Sequence, residues 1–328
     1  LNQGDRLRIR WIEQAKGLGI ILVVFGHAWR GVDASGLAIP QPVFDAVDAA
    51  IYAFHMPLFF FLSGLVFLQS RPFGTLGGFA AGRLVRLLWP LALWTWIFFG
   101  IKMLAGDAQN ETASLTSFPL IPFPPLAHFW FLWALFLLHI VMGVVIWAVP
   151  RNWLPHRVRL GAAAATLVAL GTAGAWGYLG PWLQPALIHL PYFLAGLALS
   201  GFADRVAPPP LAGAAAALAV LLIALAATTV YGAGHALAIL LCLSVALSGA
   251  SDWRPLIWGQ WLQRIGSASL AIYVMHTIFS AAVREVLLMT GVTDVAVHLV
   301  VGTAVGLGLP YLAYRGVRGQ PVQVMLGL

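Results

Sequence analysis

Charge and cysteine are what this sequence has least of. Of 328 residues only 9% are charged and 61% are hydrophobic, where a soluble protein carries roughly 25% charged residues. A soluble domain of that composition has no way to cover its surface with polar groups. The single cysteine, Cys242, lies in an apolar run, which excludes an intrachain disulfide framework and a thiolate metal cluster. It reads as a small buried hydrophobe. Acids are scarcer than bases, 11 against 18, for a formal net charge of +7. The bases are scattered through apolar sequence and form no binding stripe, so nucleic acid is excluded as a partner. They are topology signals instead.

Long hydrophobic runs are what the chain has in quantity. Segments able to span a bilayer occur at about 11–29, 48–69, 84–105, 127–148, 158–178, 184–202, 211–230, 233–249, 266–288 and 295–314. They are continuous and rich in Leu and Ala rather than alternating, so strands are not expected. Turn chemistry separates them, as at Arg151-Asn152 with Pro155, at Pro208-Pro209-Pro210, and at Asp252 with Pro255. The first run has no small-residue cleavage site and is read as a retained helix. Residues 1–328 are therefore expected to form one all-α membrane domain of about ten transmembrane helices.

The basic residues orient that bundle. With the N-terminus inside, fifteen of the eighteen fall on the inner side, and only Arg30, Lys102 and Arg284 fall outside. Such a split follows the positive-inside rule, places both termini in the cytoplasm and requires an even number of helices. The outer loops carry acids: Asp33, Asp45 and Asp48 in the first, Asp107 and Glu111 in the second. Long ordered loops on one face often cover a site.

Ionisable residues within spans are costly and usually functional. The first span has Glu13, Lys16 and His27. Lys16 and His27 are eleven residues apart, which is three turns plus about 20°, so they share a face with His27 about 16 Å further out. Glu13 precedes Lys16 by three and can pair with it. A snorkelling lysine or an interfacial histidine accounts for either residue alone; the constellation on one face points to function. The second span reads FHMPLFFFLSG, placing His55 near the depth of His27 and Ser63 nearer the midplane, with Pro57 breaking the helical ladder between them. His55 is read equally as a proton-handling or acceptor-binding partner of His27 and as an interfacial residue.

Arg83 and Arg86, three apart at the inner start of the third span, suit a phosphate-rich ligand. Positive-inside anchoring explains either one alone. His128 and Trp130 open the fourth span among aromatics that read as boundary belt residues. Tyr273 and His276 lie about ten residues into the ninth span, a polar pair that needs a partner or a cavity. His139 is similarly deep, with nothing around it to sharpen a role. His189, His235 and His298 fall near outer helix ends. The histidine spacings match no metal-ligand pattern, and no metal is expected.

These residues, taken in order, resemble the membrane-bound acyltransferase 3 family, in its branch related to fucose 4-O-acetylases. The likeness is carried by a basic residue, ten intervening residues and a histidine (Lys16 to His27) with an acid three before (Glu13). It continues through the PLFFFLSG segment (Pro57 to Gly64), R-x-x-R (Arg83, Arg86), a WFL segment (Trp130 to Leu132) and Y-x-x-H (Tyr273, His276). The family usually has Asp and Arg where Glu13 and Lys16 stand here. No hydrolase-like domain follows the last apolar run, so a stand-alone member is expected.

The resemblance implies a multi-pass enzyme of the bacterial cytoplasmic (inner) membrane. It implies acyl transfer, commonly of acetyl, from cytoplasmic acyl-CoA to a hydroxyl of a sugar, an exopolysaccharide or another exported acceptor. Acetyl-CoA would be a substrate, and no cofactor would be permanently bound. Arg83, Arg86 and Lys16 would hold the acyl-CoA, His27 would be the general base or form an acyl intermediate, and Glu13 with Lys16 would steady the site. His55, Ser63, Trp130, Tyr273 and His276 would shape the acceptor or acyl pocket. The rival class is a secondary transporter or flippase for a lipid-linked sugar or small polar solute, with Glu13, Lys16 and His27 as a proton relay. No paired broken helices or inverted repeat supports it.

Overall fold

The apolar run that begins at Trp11 has no proline and no turn signal before Ser35-Gly36, and it forms a single helix, α1 (Gln3–Ala34). Its 32 residues rise about 48 Å, more than the roughly 30 Å of a hydrocarbon core. The helix therefore extends past the apolar stretch through its basic N-terminal segment. It stops where Ser35 N–H turns back to the Gly31 carbonyl at 3.1 Å and Gly36 takes a φ of +78°. In this computed structural model the described residues are 3–70, 75–105, 125–149, 156–172, 179–200 and 257–328. Among them every regular element is helical.

The second span is two helices, α2 (Gln41–Tyr52) and α3 (His55–Phe67). The break falls at Ala53–Phe54, just before Pro57, rather than at Pro57 itself. Proline is tolerated in the first turn of a helix, where its missing N–H has no intrahelical partner to lose. The Ile51 carbonyl at the break accepts from the Phe54 N–H at 3.2 Å and from His55 Nδ1 at 2.6 Å. Part of the first expected outer loop is thus the helix α2, and Asp48 on it clamps Arg30 through both oxygens, at 2.6 and 2.7 Å.

The third span opens with α4 (Leu76–Arg83), capped by the Thr75 side chain accepting from Gly78 N–H at 3.2 Å. One π-helical turn, Leu84–Leu88, connects it to α5 (Trp89–Ala105). An α-helical Pro90 would collide with the carbonyl of Arg86 four residues back. The wider turn places Pro90 differently and overlaps the R-x-x-R segment; such bulges often mark functional sites. A short 3₁₀ turn, Ala127–Phe129, leads into α6 (Trp130–Ala148). Then come α7 (His156–Thr172), α8 (Gly180–Leu199), α9 (Ile257–Ser267), α10 (Ser269–Met289), α11 (Val295–Val317) and the short α12 (Pro321–Met325).

Among the described residues, seven helical segments are long and apolar enough to cross a membrane, at Trp11–Ala34, Gln41–Phe67, Leu76–Leu104, Ala127–Ala148, Gly180–Leu199, Ser269–Met289 and Val295–Val317. They overlap seven of the ten expected spans. Helix α7, at the expected span 158–178, is described only as far as Thr172, and the expected spans 211–230 and 233–249 lie outside the described residues. The chain is a multi-pass membrane protein. Helix α1 packs against α9, α10, α11 and α3, and α3 packs in turn on α8. The polar face of α1 is therefore enclosed by protein rather than turned to lipid.

Candidate active site

Two cavities lie along the same faces of α1 and α10. The larger has a volume of about 420 Å³ and the smaller about 170 Å³. From α1, Glu13, Lys16 and Ile20 line the larger, while His27, Ala28 and Val32 line the smaller. From α10, Leu270 and Tyr273 line the larger, and Thr277, Ser280 and Arg284 the smaller. Apart from the adjacent pair His27 and Ala28, these are steps of three, four or seven residues along single helical stripes. The two cavities consequently follow one another along the bundle axis.

The larger cavity has a polar end and an apolar body. Lys16, Glu13, Gln69, Arg83 and Arg86 surround the first, and Met56, Phe59, Leu62, Phe131, Leu132 and Leu135 form much of the second. Lys16 Nζ is 2.8 Å from Glu13 Oε1. Arg86 is exposed, whereas Arg83 turns inward, with Nη1 at 3.4 Å from His139 Nδ1. His139 Nε2 lies in turn 2.7 Å from Ser63 Oγ.

Three imidazoles converge at His27, which lines the smaller cavity. The His27 ring is 5.0 Å from that of His276 and 5.8 Å from that of His128, and the latter two are 5.2 Å apart. His276 is fully buried, and its Nδ1 faces the carbonyls of Tyr273 at 2.7 Å and Ile272 at 3.1 Å. Carbonyls only accept, so the ring proton sits on Nδ1 and Nε2 keeps its lone pair. That Nε2 has no hydrogen-bond partner among the described residues, and neither has His128 Nε2. The Tyr273 hydroxyl donates to the His128 carbonyl, which ties α10 to the start of α6. Ala127, next to it, has a φ of +50° and is the one non-glycine residue of positive φ among the described residues. That conformation costs about 1–3 kcal/mol and is held only where the surroundings impose it.

The expected site residues divide by location. Glu13, Lys16, Ser63, Arg83, Arg86 and Tyr273 share the larger cavity, and His27 opens to the smaller with His276 behind it. His55 is held by its own helix: its Nδ1 donates to Ile51, and Tyr52 lies between the two histidines, 4.7 Å from His55 and 6.4 Å from His27 by ring centroid. Trp130 faces Phe60 and His189, at 6.5 and 5.2 Å, rather than either cavity. His128 and His139 carry contacts that their positions in the sequence did not suggest. In the smaller cavity, Arg284 forms an ion pair with Glu285 at 3.0 Å, Ser280 donates to the Gly302 carbonyl at 3.0 Å, and His298 Nε2 donates to the Val292 carbonyl at 2.8 Å. No group of three or more His, Cys, Asp or Glu among the described residues is arranged to hold a metal ion.

A family model described as an acyltransferase domain matches residues 9–315, nearly the whole chain. The chain belongs to the acyltransferase 3 family. Among curated proteins, this acyltransferase 3 chain is similar to the nodulation protein NolL of Mesorhizobium japonicum, at 33% identity over 141 residues. That match covers 40% of this chain and 34% of the relative, so the chain spans about a third of the relative's length. No solved structure gives a significant match.

Proposed function

We propose that this protein is an O-acyltransferase moving an acyl group, acetyl in the first instance, from cytoplasmic acyl-CoA to a hydroxyl of a sugar or another exported acceptor. The reading rests on one observation: two cavities follow one another along α1 and α10, one with a basic rim and the other lined by His27, whose ring packs with those of His128 and His276. The Lys16–Arg86 end faces the cytoplasm of a bacterial inner membrane, as the distribution of basic residues favours. The nucleotide phosphates of the donor stay at the rim against Arg86 and Lys16, and the pantetheine arm enters the apolar body of the larger cavity. The acceptor enters the smaller cavity. At about 170 Å³ it is below the usual 300–1,000 Å³ of a whole-ligand pocket, so one sugar ring enters rather than a stretch of polymer.

In the transfer step the acceptor oxygen attacks the thioester carbonyl carbon while His27 takes the hydroxyl proton. The C–S bond then breaks, the ester forms, and the departing CoA thiolate takes the proton back from the His27 imidazolium. His276, its Nδ1 proton committed to backbone carbonyls, offers only an accepting Nε2 and stabilises that imidazolium.

The direct test is binding and hydrolysis of labelled acetyl-CoA by the purified protein in lipid nanodiscs. Saturable binding is expected. A protein that neither binds nor hydrolyses acetyl-CoA would sink the proposal and favour the transporter class. Arg86→Ala should raise the Kd for acetyl-CoA about ten-fold or more, because a charge-assisted hydrogen bond contributes about 1.5–3 kcal/mol. An unchanged Kd would remove the phosphate role. Narrowing the smaller cavity with Ala281→Phe should raise the KM for the acceptor several-fold and leave acetyl-CoA affinity unaltered. A change confined to the acetyl-CoA Kd would contradict the placement of the two substrates.

A further inference from the structure

We infer that Arg83, His139 and Ser63 form a polar relay whose end, the Ser63 hydroxyl, donates a hydrogen bond to a carbonyl of the acyl donor. The inference rests on the acyl-CoA reading of the larger cavity and names the group that the cavity's buried half recognises.

The three residues come from the end of α4, the middle of α6 and the middle of α3, and all of them line the larger cavity. His139 is 6% exposed, with Nδ1 at 3.4 Å from Arg83 Nη1 and Nε2 at 2.7 Å from Ser63 Oγ. A guanidinium has donors and no acceptor, so Nδ1 accepts from it and the imidazole proton belongs on Nε2. Nε2 then donates to Ser63 Oγ. This polarity excludes the other use of a close serine–histidine pair, in which the imidazole would take the serine proton to make a nucleophile. With its oxygen already accepting, the Ser63 hydroxyl hydrogen is the free end of the relay.

Buried hydroxyls in apolar helices commonly donate to a carbonyl one turn back. Thr95 does so to Leu91 at 2.7 Å and Thr166 to Ala162 at 2.8 Å. Ser63 does not, and His139 is its one hydrogen-bond partner among the described residues. The hydroxyl lines the same cavity as the apolar Met56, Phe59, Leu62 and Leu132, and it makes no hydrogen bond to Glu13 or Gln69, the carboxylate and amide that also line it. Its ligand must therefore be apolar in bulk with an uncharged acceptor. An anion would be drawn to the exposed Arg86 at the rim, and a polyol would leave most of its hydroxyls unpaired. A carbonyl on an otherwise apolar arm satisfies both conditions. In acyl-CoA that carbonyl is a pantetheine amide, since Ser63 lies eight residues, about 12 Å of helical rise, inward of His55 and the thioester reacts at the depth of His27.

Ser63→Ala should raise the Kd of acetyl-CoA about 3- to 10-fold, the size of one hydrogen bond. The Kd of CoA without an acyl group should rise equally, because it carries the same amides; normal binding of CoA by the variant would overturn the amide assignment. An unchanged Kd for both ligands overturns the relay. His139→Gln should restore near-normal affinity, because its amide oxygen can accept from Arg83 while its NH₂ donates to Ser63. His139→Leu should match Ser63→Ala, and the double variant Ser63→Ala/His139→Leu should be no worse than either single one. Gln as poor as Leu would reduce His139 to a packing role and overturn the inference. If the unmodified protein binds neither CoA nor acetyl-CoA, the acyl-CoA reading itself fails and takes this inference with it.

Discussion

Replacing His27 by alanine should lower acyl transfer by about 10²–10⁴-fold while the protein still inserts, folds and binds acetyl-CoA. The magnitude is that of a positioned general base, equivalent to about 2.7–5.5 kcal/mol of barrier. The selectivity follows from geometry. His27 opens to the smaller cavity, and the groups assigned to the donor's phosphates and carbonyl line the larger one. The Kd for acetyl-CoA should therefore stay within about two-fold while turnover collapses, which is the signature of an interaction made in the transition state alone. Transfer to acceptor within two- or three-fold of normal would end the assignment of His27 as base. His55→Ala provides the contrast. Its Nδ1 is spent on the Ile51 carbonyl at the α2–α3 break, so its loss should lower thermal stability and spare much more of the turnover than His27→Ala.

The sequence made legible whatever depends on one helix at a time. Seven spans follow from apolar run length. The Glu13–Lys16 ion pair is a three-residue step on one face, and the placement of Lys16 and His27 in successive cavities follows from eleven residues of helical rise. Contacts made by convergence of distant segments were out of reach. His139 meets partners 76 and 56 residues away, and no local pattern announces either. His128 reads as a boundary residue because aromatics surround it. Its ring reaches His27 and His276 from the Ala127–Phe129 turn, where Ala127 has a positive φ.

Trp130 shows the limit of a motif without a face. One residue is about 100° of helix, enough to aim Phe131 into the larger cavity and Trp130 at Phe60 and His189. The helix break near Pro57 was readable as a break, but its position was set by the backbone groups it frees. Those groups are met by Phe54 and His55, so the kink lies a turn earlier than the proline.

Valine at Gly266 or at Gly64 should destabilise the protein by about 3 kcal/mol or more, the upper end for overpacking a well-filled interior. Two helix pairs that build the site touch backbone to backbone. A Cβ on Gly17 would fall on the Leu262 carbonyl, and one on Gly266 on the Glu13 carbonyl, so α1 and α9 exclude side chains from both directions at their crossing. Gly64 and Gly196 do the same for α3 and α8, against the carbonyls of Phe193 and Phe61. Helices within a bilayer gain little from burying apolar surface against each other and depend on close packing through small residues. Here the obstructing atoms are helix carbonyls, which cannot rotate aside as a side chain can, so the helices must separate. Glu13 carries the carbonyl under Gly266 and also pairs with Lys16, and Gly64 follows Ser63. Separation at either crossing therefore moves the walls of the larger cavity. The measurement is the thermal midpoint in nanodiscs with acetyl-CoA binding alongside, and both should fall for Gly266→Val and Gly64→Val. Gly308→Ala in α11 is the control: nothing lies within 4 Å of a Cβ there, so it should be neutral or gain the 0.5–1 kcal/mol by which Ala exceeds Gly in a helix. Normal midpoints in both valine variants would show that the two crossings do not set the spacing of α1 and α3.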